Sequence, residues 1–335
     1  MNDVKDKLSD LLLTPAAWLG SLLSGFMATL LFVGVVFFIQ EPDNIDVAKH
    51  QRDSKGLLGY TTAATVEDML GTLLDKPFGY VSNDILPPFI LLDDIPSWEQ
   101  GVIVQLQNIT LAMQRDFSRP GNQTKEDPDL TAAKTLLNND TKKWIATDYQ
   151  TKLSKARAAM NSYKTRLQND NPRDGQFTSK STSLKFWLGL VDKNLGDLST
   201  QLGANRGQIQ VNSNLAGEKG QVAWAESYEV LAQTPWSEID NVYWNARGQT
   251  WALLAAFMAI RTDFDVTLQD KSATSIVDQV IRTLHYALRP IDSPYVFNGS
   301  RQSYGFTPNY SSQLSSDINA ANNGVRELLN LLDKG

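Results

Sequence analysis

Hydrophobic positions along this chain follow two patterns, one continuous and one periodic. From Ala17 to Ile39 the run AWLGSLLSGFMATLLFVGVVFFI contains no charged residue. A helix of that length rises about 35 Å, enough to cross a hydrocarbon core of about 30 Å. A cleaved signal segment would be shorter and would end in small residues, whereas this run ends in VVFFIQEPD. Residues 17–39 are therefore expected to be a retained transmembrane helix, with Trp18 and Phe37–Phe38 at the two interfaces. Gln40 to Ala48 carry only acidic charges, while Lys5 and Lys7 precede the run. That balance favours an N-terminus inside and a translocated domain.

After residue 39 the apolar positions recur at steps of three and four, the spacing of one helix face. Trp98, Val102, Leu106, Ile109, Met113 and Phe117 form one such stripe, and Ile276, Val277, Val280, Ile281, Leu284 and Leu288 another. Tyr149, Leu153, Ala156, Met160, Tyr163 and Leu167 step by 4, 3, 4, 3, 4, as do Leu184 to Leu202 and Leu314 to Leu332. These are a/d seams, each suited to a partner helix. Asn171-Pro172 and Asp174-Gly175 separate the first two seams, so 149–167 and 184–202 are expected to pair as a long antiparallel hairpin. Ser97, with Gln100 three residues on, is expected to cap the helix of Trp98. Residues 203–220, rich in Gly and Asn, read as a loop. Trp236 to Phe264 reads as one long helix, apolar on every face from Trp251 to Ile260 and too short to span a bilayer. A short hairpin is conceivable at Asn298-Gly299.

The predicted fold class is all-α: one N-terminal transmembrane helix followed by a helical-bundle domain containing the hairpin. The divisions are a tail at 1–16, the membrane helix at 17–39, a juxtamembrane linker at 40–56, a first helical subdomain at 57–205 and a second at 206–335.

Composition narrows the chemistry. Apolar residues make up 42% and charged residues 20% of the chain, as in a globular domain with a core. The net charge of −6 argues against nucleic acid as a partner. With no cysteine and two histidines, His50 in the linker and His285, thiolate chemistry is excluded and a His-rich zinc site or Ser-His-Asp set nearly so. No catalytic, cofactor-binding or metal-binding residue stands out, and no cofactor is expected.

The strongest polar constellation is Asp240, Trp244, Arg247, Gly248 and Trp251, which share a broad helix face. It reads either as a pocket for an anionic group or as a buried arginine tying down a neighbouring loop or helix end, with Gly248 open to a close backbone approach. Asp116, Arg119, Glu126, Asp127 and Asp129 form a charged cluster that reads as a solvated loop more readily than as a carboxylate pair or calcium site. His285 reads as a helix-end histidine. Lys152, Lys155, Arg157, Lys164 and Arg166 make one helix face basic, either solvated or facing phosphates or an acidic partner. Within the membrane run, Gly20, Ser24 and Ala28 form a stripe of small residues that would let two helices approach closely.

Several blocks carry a resemblance: IPSWEQG at 95–101, RDFSR at 115–119 with EDPD at 126–129, IDNVY at 239–243 with ARG at 246–248 and WALL at 251–254, and Arg289-Pro290 with Ser293-Pro294 and Asn298-Gly299. Together they resemble an uncharacterised family of single-pass proteobacterial inner-membrane proteins, a domain of unknown function. The resemblance implies a bacterial inner-membrane location and no mechanism.

The expected function is that of a membrane-anchored periplasmic scaffold or interaction protein of the bacterial envelope, self-assembling as a homo-oligomer. Its other expected partners are inner-membrane lipid, through residues 17–39, and envelope proteins. The alternatives are a carboxylate-based envelope hydrolase, or a lipid or ligand carrier with a cavity between helical halves. The balance leans away from an enzyme without deciding it.

Overall fold

The computed structural model describes residues 18–29, 41–76, 79–80, 94–119, 126–138, 148–169, 174–211, 229–291, 296 and 309–334. The protein is all-α, with one short β-ribbon among the described residues. Its helices are α1 (residues 18–29), α2 (Val47–Asp53), α3 (Tyr60–Asp75), α4 (Asp94–Ala112), α5 (Pro128–Leu137), α6 (Asp148–Leu167), α7 (Ser181–Ala204), α8 (Ile239–Asp263), α9 (Asp265–Asp270), α10 (Thr274–Ala287) and α11 (Tyr310–Asp333). The strands β1 (Gln208–Val211) and β2 (Glu229–Ala232) pair antiparallel, Gln208 opposite Ala232. β1 lies within the stretch expected to be a loop; its sequence QIQV has the period-two alternation of a short strand.

Helix α8 is the axis of the bundle. Every residue from Ala246 to Phe257 is buried, as its all-round apolar sequence requires. Its most extensive neighbour is α4, which runs in the same direction: Ser97 Oγ lies 3.1 Å from Asn241 Oδ1, and Gln105 Nε2 donates to Gln249 Oε1 at 2.8 Å. The crossing is backbone on backbone. A Cβ at Gly248 would lie 2.0 Å from the Trp98 carbonyl oxygen, and one at Gly101 would lie 2.1 Å from the Asn245 carbonyl oxygen. Ser97 is not the cap: α4 already begins at Asp94, and a single π-helical turn, Met113–Phe117, continues it to Phe117.

Around this pair, α3 and α10 pack antiparallel to α8. Arg261 Nε reaches Asp278 at one end of the α8/α10 contact, while Arg247 reaches Leu288 O at the other. One hydrophobic cluster runs through both 57–205 and 206–335. At the far pole Phe117, Phe177 and Phe264 stack mutually with centroids 5.1–5.8 Å apart.

The long hairpin is not formed. All six positions of the 149–167 seam and all six of the 184–202 seam are buried, but not against each other. α6 packs on α5 and α3, whereas α7 packs along α11. The connection explains the separation. Gly175 folds the chain back over the end of α6, where a Cβ would meet Arg166 C and Leu167 N at 2.7 Å. Tyr163 OH then holds Gln176 O at 2.6 Å, and Thr178 N donates to Phe117 O at 2.7 Å. The segment thus crosses the end of α4 before α7 begins. An a/d seam specifies a face to bury, not the helix that covers it.

Of the expected membrane helix, residues 18–29 are described and form α1, exposed throughout, with Thr29 Oγ1 bonded to Gly25 O at 2.8 Å. Residue 17 and residues 30–39 lie outside the described residues, as do most of 291–309 with Asn298-Gly299. Among the described residues no helix is long and apolar enough to cross a membrane. Gly20, Ser24 and Ala28 sit on this exposed helix, and among the described residues no other element lies within 4 Å of a Cβ at Gly20.

Candidate functional site

Helix α8 presents Tyr243, Trp244, Arg247 and Trp251 over two turns, and Arg247 is 2% exposed. A buried guanidinium must be paired and hydrogen-bonded. Its carboxylate partner is Glu41, 206 residues away, rather than Asp240 on its own helix. Arg247 Nε lies 3.2 and 3.1 Å from the two Glu41 oxygens, and Nη2 closes the fork. The remaining donors go to the end of α10: Nη1 to Arg289 O at 3.1 Å and Nη2 to Leu288 O at 3.3 Å. Tyr243 OH is 3.4 Å from Nη1. Burial disfavours the charge on Arg247, but Glu41 outweighs it and holds the guanidinium above its ordinary pKa.

The same knot gathers the indoles. Trp98 Nε1 donates to Glu41 Oε1 at 3.0 Å, and Trp251 Nε1 donates to Asp43 O at 3.2 Å. Their rings lie 5.1 Å apart. Of the predicted constellation, Arg247 and Trp251 therefore grip residues 41–43, and Gly248 admits the Trp98 backbone. Trp244 packs edge-on to Tyr243 at 5.8 Å, and Asp240 is half-buried. The segment expected as a plain linker is built into the fold: Val47 and His50 of α2 are buried, and His50 Nε2 lies 2.8 Å from Asp68 Oδ2.

Beside Arg247 opens a cleft of about 290 Å³ between α8, the end of α10 and the start of α11. Tyr243, Tyr286, Tyr310, Arg289, Gln313 and Asp317 line it. Arg289 Nη2 and Asp317 Oδ2 face each other at 3.7 Å, beyond hydrogen-bond distance.

Residues 13–335, the cleft and the Glu41–Arg247 pair among them, match the family DUF2333, described as an uncharacterized protein conserved in bacteria. The chain belongs to that bacterial family. No curated protein and no solved structure is detectably similar to it.

Several other charged groups of this family member are tied to one another. Arg166 clamps Asp127 at 2.7 and 2.8 Å and Asp129 at 2.8 Å, while Asp127 Oδ1 caps α5 by accepting from Asp129 N and Leu130 N. Arg119 pairs with Glu126 at 2.8 Å. The basic face of α6 meets acids of α3: Arg157 reaches Asp75 at 2.7 Å, and Lys164 pairs with Glu67. Among the described residues no cluster of His, Asp and Glu is placed to hold a metal ion. His285 is exposed near the end of α10.

Three features had no local signature in the sequence. Glu41 is one. The second is Glu99, fully buried on α4 and paired with Lys76. The third is Asp263, at the end of α8, which accepts from Thr62 N at 2.7 Å and from Thr62 Oγ1 at 2.6 Å and so caps α3 from another helix. Burial pushes the Asp263 carboxyl up to about 6, against the hydrogen bonds from Thr62 and Gly59 that pull it down.

A folded-state pKa above the unfolded one makes this group's contribution complete below about pH 4 and progressively lost as pH rises through about 6. Asn at this position keeps an acceptor for Thr62 and removes the titration. Relative to Asp263→Asn, the wild type is therefore expected to lose about 2 kcal/mol between pH 4 and 7. Paired urea melts across that range check it. A pH-independent difference would refute the buried titration.

Proposed function

We propose that this protein is a single-pass inner-membrane protein whose domain after Gln40 lies in the periplasm and serves as a self-assembling scaffold or interaction module of the bacterial envelope. The observation that carries the reading is the Glu41–Arg247 knot. Glu41 stands two residues beyond the uncharged 17–39 run, and its carboxylate is locked to the axial helix of the domain. In this reading a single residue, Gln40, separates the proposed span from the locked carboxylate. That arrangement suits a protein that presents surfaces more than one that reaches for distant substrates.

The exposed apolar α1, with its Gly20, Ser24 and Ala28 stripe, supplies a surface for self-association in lipid. A reporter that fluoresces only in the cytoplasm, fused at Gly335, is expected to stay dark; a bright fusion rejects the topology. The detergent-solubilised particle is expected to be oligomeric and to lose mass when Gly20 and Ser24 are both changed to Leu. A monomeric wild type rejects self-assembly. A carrier function is favoured by one observation, the cleft beside Arg247.

A further inference from the structure

We propose that the cleft beside Arg247 binds a phospho-amine zwitterion of the ethanolamine-phosphate class, the ammonium held by Asp317 among the tyrosines and the phosphate by Arg289. That the zwitterion is a membrane headgroup rests on the topology proposed above; the chemistry of the cleft does not.

Among the described residues the cleft offers one acid and one accessible cation. Arg247 lines its wall, but its donors are engaged by Glu41, Tyr243 and two carbonyls. Arg289 differs. Its Nε holds Tyr286 O at 2.9 Å, its side chain is 54% exposed, and its Nη2 approaches Asp317 only to 3.7 Å. Asp317 is 24% exposed at its side chain, and burial raises its pKa against the opposing charge of Arg289. Such a carboxylate is desolvated without a close donor among the described residues. A ligand carrying both charges, approaching from the cleft, meets each group on its open side and adds two charge-assisted hydrogen bonds to the one long contact. The aromatic wall is one that already holds cations: the Arg289 guanidinium lies 5.8 Å from the Tyr286 ring, which stands 59% exposed at the mouth, and Tyr243 and Tyr310 lie 6.4 Å apart. Tyrosine faces attract cations within about 6 Å. A simple anion would satisfy Arg289 and leave Asp317 repelling it; a simple cation would do the reverse.

Position points the same way. Arg247 belongs to both the cleft and the knot with Glu41, so the cleft lies at the pole where the chain leaves the 17–39 run. Trp236, 76% exposed, precedes α8 at this pole. Exposed Trp and Tyr are typical of the headgroup layer.

The test uses the full-length protein in a non-ionic detergent, titrated with soluble glycerophosphoethanolamine and, separately, with glycerophosphoglycerol, which lacks the amine. Glycerophosphoethanolamine is expected to bind at least about tenfold more tightly, since loss of one charge-assisted contact is worth about that factor. Asp317→Asn and Arg289→Gln should each weaken it by about tenfold, whereas Asp317→Asn should tighten glycerophosphoglycerol by relieving its repulsion from the carboxylate. Tyr286→Ala, at an exposed side chain, serves if a charge variant fails to fold and is also expected to weaken binding.

Repeating the titration in nanodiscs identifies the source. If phosphatidylethanolamine discs suppress binding of the soluble probe and phosphatidylglycerol discs do not, the ligand is a lipid headgroup. Equal binding in both assigns a free small molecule. Absence of binding, equal affinity for the two glycerophosphodiesters, or indifference to both Asp317→Asn and Tyr286→Ala overturns the proposal. A bright Gly335 fusion would reject the topology alone and leave the soluble titration standing.

Discussion

Replacing Arg247 with alanine is expected to destabilise the domain by about 3–5 kcal/mol, the cost of removing one member of a buried ion pair. Three groups lose their partner at once. Among the described residues Glu41, 19% exposed at its side chain, keeps only the Trp98 indole as a close donor, and the carbonyls of Leu288 and Arg289 lose the guanidinium that closes the end of α10. Pro290 follows and has no N–H to offer in exchange. The converse change, Glu41→Ala, strands a guanidinium 3% exposed and is expected to cost at least as much. The double variant should be far less than additive, because each single change already destroys the pair. For a domain of this size the single variants should melt roughly 6–20 °C lower. Thermal melts of all four proteins in the same detergent check the cycle. Strict additivity would mean that the two groups are not coupled.

Gly248→Ala carries the second large effect. The added Cβ would sit 2.0 Å from the Trp98 carbonyl oxygen and 3.0 Å from Trp98 Cα, so no side-chain rotation relieves it. Helices α4 and α8 must separate, and with them the Gln105–Gln249 hydrogen bond buried between them. A loss of about 3 kcal/mol is expected, the upper part of the ordinary overpacking range, despite alanine's better helix propensity. Gly189→Ala is the control. It lies on an exposed face of α7 with nothing within 4 Å, so it should stabilise the protein by about 0.5–1 kcal/mol. Equal effects at the two positions would mean that the backbone contact is absent.

Periodicity determined most of the secondary structure and nearly all of the buried faces. The stripe from Trp98 to Phe117, the seams at 149–167, 184–202 and 314–332, and the all-round apolar centre of α8 are each buried where their spacing put them. Such information is local, because residues three and four apart share a face whatever lies opposite. Aliphatic and aromatic seams are largely interchangeable as partners, so the sequence could not say that 149–167 would meet α5 and α3 while 184–202 met α11. The connection over Gly175 and the Phe117–Phe177–Phe264 stack decided that, and both exist only once α4 and α8 are in place. The knot was half legible. Arg247 stood out because an arginine among tryptophans on an apolar helix needs a partner, yet the acids in its neighbourhood along the chain were Glu238 and Asp240. Glu41, an unremarked residue of a polar stretch, became that partner through a contact spanning 206 positions. Charge pairing across such a separation leaves no spacing to read: a carboxylate has no periodicity, and only the assembled bundle fixes which one meets a given guanidinium.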